Sequence, residues 1–362
     1  MDILIISASF YPSNSPRAFR TTELVKRFCR LGHNVTLYLP QDKGNLAEFM
    51  EEYSIQVKYY NYQEPVFATG RISRICCKLL NIFFEYPDIR IIKKLKNALQ
   101  NEKKHDLLIT IAMPHPIHWA IGLLYKTGKR IAKTWIADCG DPYMLCGTNR
   151  WKHPFYFRRL EKLWCRKCDF ISVPTKAAKN GYYPEFQDKI RVIPQAFDFN
   201  EIKRQEYKKN PIPTFAFSGN LIPHVRDPKP LLDYLLSLDM DFKFIFYSTK
   251  RHLIEPYKNQ IPQKIEIHDY IPRLDLLYIL SGMDFLVNIE NTTQIQTPSK
   301  LIDYGLVGRP ILSFNTQRPD FKVVAEFLKG DYSHQYKILD IDAYNIENVA
   351  NQFLSLSKIS YS

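Results

Sequence analysis

Residues 296–304 read Gln-Thr-Pro-Ser-Lys-Leu-Ile-Asp-Tyr, with Gly308-Arg309-Pro310-Ile311-Leu312 close behind. Thr297 and Pro298 have the types expected at a helix N-cap and first position, which leaves the amides of Ser299, Lys300 and Leu301 as free donors. Donors at the positive end of a helix dipole suit an anion such as a diphosphate. Lys300 adds a full charge, and Asp303 can accept from two vicinal hydroxyls of a ribose. The same residues would also make an ordinary capped helix with an exposed ion pair. A second group is Phe217-Ser218-Gly219-Asn220-Leu221 followed by Arg226-Asp227. Gly219 lets a ligand approach the backbone, and Arg226 can fork onto phosphate oxygens or simply pair with Asp227. The stretch His268-Asp269-Tyr270-Ile271-Pro272 either walls a nucleobase or only ends a strand.

Further candidates lie in the first half. Asp138-Cys139-Gly140-Asp141-Pro142 places two carboxylates after an apolar run. Asp138 and Asp141 could hold hydroxyls of an acceptor or move a proton, or could cap a turn. Arg17 and Arg20 share one face of a helix start, where cations cost a few tenths of a kcal/mol. Folding asks for neither there, so an anionic ligand is the expected reason. His115 and His118 follow another apolar run and are either site residues, loop capping groups or half-buried core. Cys165 and Cys168 have CxxC spacing with no second pair, which reads as two core thiols rather than a metal site.

These residues need strand ends to position them. Residues 2–8 are a short apolar run, 16–31 space their apolar groups as a helix between Ser15 and Gly32, and 34–39 are the next strand. Strands are expected again at 106–112, 131–137, 169–174 and 189–194, with helical patterns between them. Residues 199–213 turn polar and proline-punctuated, as a linker does. A second series follows at 214–218, 243–248, 264–268, 284–289 and 310–314. The fold class expected is α/β: two doubly wound, Rossmann-like domains, 1–198 and 214–345, facing across a cleft. A C-terminal helix near 346–362 can pack back on the first domain. Ligands in such sheets bind at the carboxyl ends of strands.

At 362 residues, with 45% hydrophobic and 24% charged residues, the chain suits two globular cores and not a disordered one. The net charge of +13 is uneven. Residues 1–200 carry 31 Lys and Arg against 18 Asp and Glu, and the remainder carries 19 of each. The first half is therefore expected to meet something anionic. Seven cysteines, an odd number, and a start directly on a strand read as a reduced, cytoplasmic setting. No apolar run reaches the roughly 18 residues of a membrane span, so attachment would be peripheral, on the inner face of the membrane. Residues 71–104 offer a basic, amphipathic run, with Arg71, Arg74, Lys78, Arg90, Lys93, Lys94 and Lys96 among apolar residues. It reads as an interfacial helix pair on anionic lipid, or as solvated faces over buried stripes.

Taken together, the opening strand with Phe10-Tyr11-Pro12, Leu31-Gly32-His33, Ile193-Pro194-Gln195, Gly219-Asn220 with Arg226, and Pro298-Ser299-Lys300-Leu301-Ile302-Asp303-Tyr304 resemble the family-4-like retaining glycosyltransferases of the GT-B fold. The resemblance runs along nearly the whole chain. It implies a nucleotide-sugar donor, UDP- or GDP-linked, on the second domain, and no cofactor or metal. Carried over, Arg226 and Lys300 would contact the diphosphate, Asp303 the ribose, and Tyr270, Ile271 and Pro272 the base, with Gly219, Asn220, Ser299 and Leu301 completing the donor-binding set. The acceptor, commonly a lipid-linked saccharide of surface-polysaccharide synthesis, would meet Arg17, Arg20, His115 and His118, with Asp138 and Asp141 as catalytic candidates. Many relatives carry two glutamates eight apart; here the second is Asp303 and the first is Ile295, so its contact is absent or supplied by Gln294 or Gln296.

Two rivals remain at this point. A sugar-nucleotide epimerase of similar build fits the donor residues but needs no basic first domain. A non-catalytic basic binding protein fits the charge; nucleic acid is not the expected partner, because the chain shows no recognisable nucleic-acid motif.

Overall fold

The computed structural model describes residues 1–13, 15–42, 44, 46–65, 70–145, 153–269, 271–290 and 299–359, with the backbone alone at Arg71, Ile72 and Ser299. The chain divides into two compact units, 1–197 with 343–362, and 198–342.

In the first unit the strands are β1 (Asp2–Ser7), β2 (Asn34–Leu39), β3 (Gln56–Tyr59), β4 (His105–Ile111), β5 (Ala132–Asp138), β6 (Phe170–Val173) and β7 (Ile190–Val192). They form one sheet in the order β3-β2-β1-β4-β5-β6-β7, and every pair is parallel. The connections hold α1 (Pro16–Arg30), α2 (Ala47–Tyr53), α3 (Arg71–Phe84), α4 (Ile91–Ala98), α5 (Pro116–Lys126), α6 (Phe157–Lys167) and α7 (Lys176–Lys179). Both faces of the sheet are covered, and the period of two decides which residue serves which. Leu4 and Ile6 enter one core; Ile3 and Ile5 enter the other. The order reverses at β1 and β4, so the loops into α1 and α5 sit at a topological switch point.

Helix α1 starts as its sequence dictates. The Ser15 hydroxyl accepts the amide of Ala18 at 3.1 Å, Pro16 follows, and Gly32 ends the chain's turn with a φ of +77°. Strand β3 has no counterpart among the apolar runs. It has only four residues, lies at the sheet edge, and is not buried, so it lacks the signal that reveals the others.

The second unit has β8 (Thr214–Ser218), β9 (Lys243–Tyr247), β10 (Ile265–His268), β11 (Phe285–Ile289) and β12 (Ile311–Phe314), in the parallel order β10-β9-β8-β11-β12. Helices α8 (Lys229–Leu236), α9 (Glu255–Lys258), α10 (Arg273–Leu280), α11 (Ser299–Val307) and α12 (Phe321–Leu328) surround it. One face is rich in phenylalanine, with Phe215, Phe217, Phe244, Phe246 and Phe285 fully buried. The switch point here is β8 and β11.

Helix α13 (Ile346–Ile359) closes the chain against the first unit. Ile346, Val349, Ala350 and Phe353 follow helical spacing into the core that Leu24, Val25 and Phe28 of α1 also line. Residues 199–213, expected as a linker, are tied into the second unit. The reason is Asp284: its carboxylate accepts the Tyr207 hydroxyl at 2.7 Å and the amides of Asn210 and Thr214 at 3.2 and 2.8 Å.

Candidate functional site

In the second unit the candidate residues gather at the carboxyl end of β8 and the first turns of α11. Tyr304 of α11 is fully buried, and its hydroxyl accepts the Ser218 amide at 2.8 Å. That bond fixes α11 against the last residue of β8. It brings Lys300, one turn earlier, over the Phe217 ring, with Nζ 4.3 Å from the centroid. A Cβ on Gly219 would stand 3.7 Å from Lys300 Cδ, which is ordinary contact, so crowding does not demand glycine there. Its φ of +130° does.

Lys300 Nζ is buried without a hydrogen-bond partner among the described residues, and so is Nε of Arg226. Burial, and then the charge of Arg226, push the Lys300 amine down to about 7. Asp227 does not relieve Arg226: its carboxylate takes the amides of His224 and Lys229 at 3.3 and 3.0 Å. Two cationic groups thus converge beside a glycine with no ion-pair partner among the described residues, an arrangement with an affinity for an anion.

Asp303 has a partner that the sequence reading did not give it. Arg273, at the start of α10, donates to its Oδ1 from Nε at 3.0 Å and from Nη2 at 2.5 Å. Burial raises the Asp303 carboxyl above its ordinary range, and Arg273 pulls it back. Ile271 and Pro272 directly precede α10, with Pro272 as its N-cap. Leu301 is buried in the smaller core of the unit, and Asn220 is exposed. Tyr270, the stretch from Gln294 to Pro298 and the Ser299 side chain lie outside the described residues.

In the first unit Asp138 ends β5, fully buried. Arg20 donates to it from Nη2 at 2.8 Å and from Nε at 3.2 Å, Arg17 from Nη1 at 3.4 Å, and Ser172 from Oγ at 2.7 Å. Burial alone would raise this carboxyl; Arg20 and Arg17 outweigh it and hold it below the ordinary range. Arg20 also donates to the carbonyls of Ile193 and Pro194 and lies over the Phe353 ring of α13. Folding does ask for Arg20, contrary to the reading of the helix start alone.

Arg17 is the more open of the two, with its side chain 20% exposed against 2% for Arg20. It lies against the backbone of Gly140, where a Cβ would come 2.8 Å from its Nη2. A side chain there would have to displace the end of Arg17. Asp141 is half-buried beside it.

His118, fully buried in α5, is bonded through Nδ1 to the Thr110 hydroxyl at 2.8 Å and through Nε2 to the Cys139 sulfur at 3.2 Å. Burial, and then His115, push it well below its ordinary pKa. It belongs to the packing of β4, β5 and α5. His115 is also buried and lowered to about 4, by burial first and then by His153, and its Nδ1 has no partner among the described residues. Its ring packs edge-on to Tyr143 at 5.1 Å, which itself stacks on His153 at 4.0 Å. Cys165 and Cys168 are buried free thiols pushed up by burial. No cluster of three or more metal-ligating His, Cys, Asp or Glu side chains occurs among the described residues.

The pattern of Glycosyltransferase Family 4 matches residues 19–201, just over half of the chain. The chain belongs to that family. The match spans Arg20, His115, His118, Asp138 and Asp141, while Lys300, Arg226 and Asp303 lie beyond it.

Solved structures carry the fold over both units of this Family 4 chain. A glycosyltransferase from Rickettsia africae superposes with a TM-score of 0.61 at 13% identity, over 100% of this chain and 98% of that one. HepE of Anabaena, solved in complex with UDP, gives 0.59 at 12%, over 99% and 98%. The UDP-GlcNAc 2-epimerase of Neisseria meningitidis, bound to UDP-GlcNAc, gives 0.58 at 12%, over 98% and 99%. No curated protein sequence matches the chain significantly. At these identities the likeness is one of fold, and the fold is GT-B.

Two participants escaped the sequence reading. Arg273 gave no local signal, because its partner lies 30 residues on. Tyr304 stood in the motif but had no assigned task. Its position one turn after Lys300 was the available sign that something must hold the lysine in place.

Proposed function

We propose that this chain moves a sugar from a UDP- or GDP-linked donor to a saccharide acceptor, lipid-linked and used in surface-polysaccharide synthesis, with the anomeric configuration retained and no metal required. The observation that carries the donor half is Lys300 Nζ, buried beside Arg226 and Gly219 with no hydrogen-bond partner among the described residues. A diphosphate would supply the missing acceptors, and its leaving-group charge would be stabilised by cations already held in place. Asp303 would accept ribose hydroxyls through Oδ2, since Arg273 donates to Oδ1. Ile271 and Pro272, with Tyr270, would flank the base. That HepE was solved with UDP supports a uridine nucleotide as the first to try.

On the first unit we assign Arg17, Asp141 and His115 to the acceptor and the reacting groups. Asp138 and Arg20 would act through them, as the buried ion pair that holds Arg17 in place. The excess positive charge of residues 1–200 supports an acceptor presented at an anionic membrane surface, on its cytoplasmic side. Among the described residues no helix is long and apolar enough to cross a membrane.

Titration calorimetry with UDP, GDP and ADP tests the donor site directly. Wild type should bind one of them, and Lys300→Met and Arg226→Ala should each weaken it by about 1–3 kcal/mol. Unchanged affinity in both variants would remove the donor from this site. Turnover in excess chelator, with the anomer of the product read by NMR, tests the other two claims. The epimerase reading, favoured only by the likeness to the Neisseria fold, predicts a product still joined to its nucleotide.

A further inference from the structure

Helix α3 has the apolar residues of a helix that covers a core, yet none of its described side chains is buried. Ile75, Leu79, Leu80, Phe83 and Phe84 all stand exposed, Ile75 at 53% and Phe84 at 61%. A 14-residue helix is marginal alone in water, and exposed apolar side chains gathered on one helix mark a surface that meets something.

The helix is firmly presented at its C-terminal end. Glu85 closes it in the left-handed conformation, with its amide on the Asn81 carbonyl at 2.8 Å. The Tyr143 hydroxyl donates to Glu85 Oε2 at 2.7 Å, and the Tyr156 hydroxyl donates to the Phe83 carbonyl. That last bond brings Tyr156 and its neighbour Phe155, which is 80% exposed, beside Phe83 and Phe84.

The charges say what the surface meets. Arg74 and Lys78 are exposed on α3, and residues 71–84 include no acidic residue. Helix α4 is a contrast: Ile91 and Leu95 are buried, so it packs on its own unit and turns Lys93 and Lys94 outward. Lys93 and Lys96 line a shallow groove of about 370 Å³ with Ile89 and Ile92. An apolar, aromatic-ended helix with only cations on it complements an anionic bilayer; a helix over its own core does not need such a surface.

We propose that α3 is the element that enters the headgroup–acyl boundary of an anionic membrane, anchored by Phe83, Phe84, Phe155 and Tyr156. The α4 lysines stay at the level of the headgroups and hold their phosphates. This rests on the membrane-facing reading of the first unit and adds which helix enters.

Co-sedimentation of the full chain with phosphatidylglycerol and phosphatidylcholine vesicles tests both levels. The expected result is capture by the anionic vesicles, with partitioning lowered at least tenfold in Leu79→Ser/Phe83→Ser/Phe84→Ser. In Lys93→Gln/Lys94→Gln/Lys96→Gln, capture should weaken but survive. In Phe84→Trp, the added fluorescence should be quenched by vesicles brominated on the acyl chain. The urea-unfolding midpoint of each variant serves as its folding control. Full capture of the α3 variant, with loss in the α4 variant and no quenching, would overturn insertion while leaving surface attachment standing. A wild type that ignores anionic vesicles at low salt overturns both. A wild-type dimer that the α3 variant dissolves, without vesicle capture, makes the face a subunit contact and overturns the proposal.

Discussion

The ammonium of Lys300 stands 4.3 Å from the centre of the Phe217 ring and has no hydrogen-bond acceptor among the described residues. Its amine is held down to about 7, by burial first and by Arg226 second. A bound diphosphate would reverse the balance and favour the charged form. Nucleotide binding should therefore take up protons, approaching one per site near pH 8. Affinity should fall by up to roughly tenfold per pH unit above about 7, the slope of a single linked proton. Calorimetry in buffers of different ionisation heat reads the uptake, and Lys300→Met should abolish it. Binding with no proton uptake in wild type would mean that the anion does not sit on this lysine.

Tyr304 offers a test of positioning rather than of charge. Its hydroxyl accepts the buried Ser218 amide and donates toward the Val287 carbonyl at 3.3 Å. Tyr304→Phe keeps the ring but orphans that amide, at a cost of about 1–3 kcal/mol in urea unfolding. The lysine it steadies should bind nucleotide more weakly as well. Wild-type stability and affinity in this variant would show that α11 is held by apolar packing alone.

The parts of this molecule that were legible in the sequence share one property: their cause is local. Strands such as Ile3–Ile6 announce themselves because both faces of the sheet are covered. Ser15, Pro16 and Gly32 delimit α1 because capping is decided within a turn. Gly219, Arg226 and Lys300 could be picked out by type, and the structure brings them together. What could not be read are partners distant in the chain. Asp138 looked like a reacting carboxylate because Arg20, 118 residues away, is invisible beside it. Arg20 looked superfluous to folding for the same reason. The bond between Asp303 and Arg273 was hidden because Arg273 opens a different helix. Helix α3 could be read as amphipathic, but only packing separates it from α4.

The two carboxylates at the carboxyl end of β5 should part company on mutation. Asp138 is fully buried among Arg20, Arg17 and Ser172, so Asp138→Asn leaves two cations without their counter-charge. Breaking such a buried pair costs about 3–5 kcal/mol. Asp141 is half-buried and its charge acts on Arg17, so Asp141→Asn should cost less than Asp138→Asn while lowering turnover. Urea unfolding and initial rates separate the outcomes. Full stability with lost activity in Asp138→Asn would move that residue from support to chemistry.

Glu85 links α3 to the loop after β5, and its protonation should be visible in stability. The residue is 8% exposed, and burial raises its carboxyl from 4.5 to about 7; the bond from Tyr143 opposes this and the charge of Asp88 adds to it. A folded carboxyl that holds its proton more tightly than the unfolded one takes up a proton on folding. Its contribution is therefore fully present below about pH 4.5 and is lost as pH rises through about 7. The shift sets a ceiling of about 3 kcal/mol. Glu85→Gln keeps an acceptor for the Tyr143 hydroxyl but cannot ionise. Its unfolding free energy relative to wild type should therefore climb between pH 5 and pH 8, by up to about 3 kcal/mol. Chemical denaturation at a series of pH values measures that difference free of every group the two proteins share. A difference that stays flat over the range would mean that Glu85 is ionised in the folded protein, with the Tyr143 hydroxyl and water supplying all the solvation it needs.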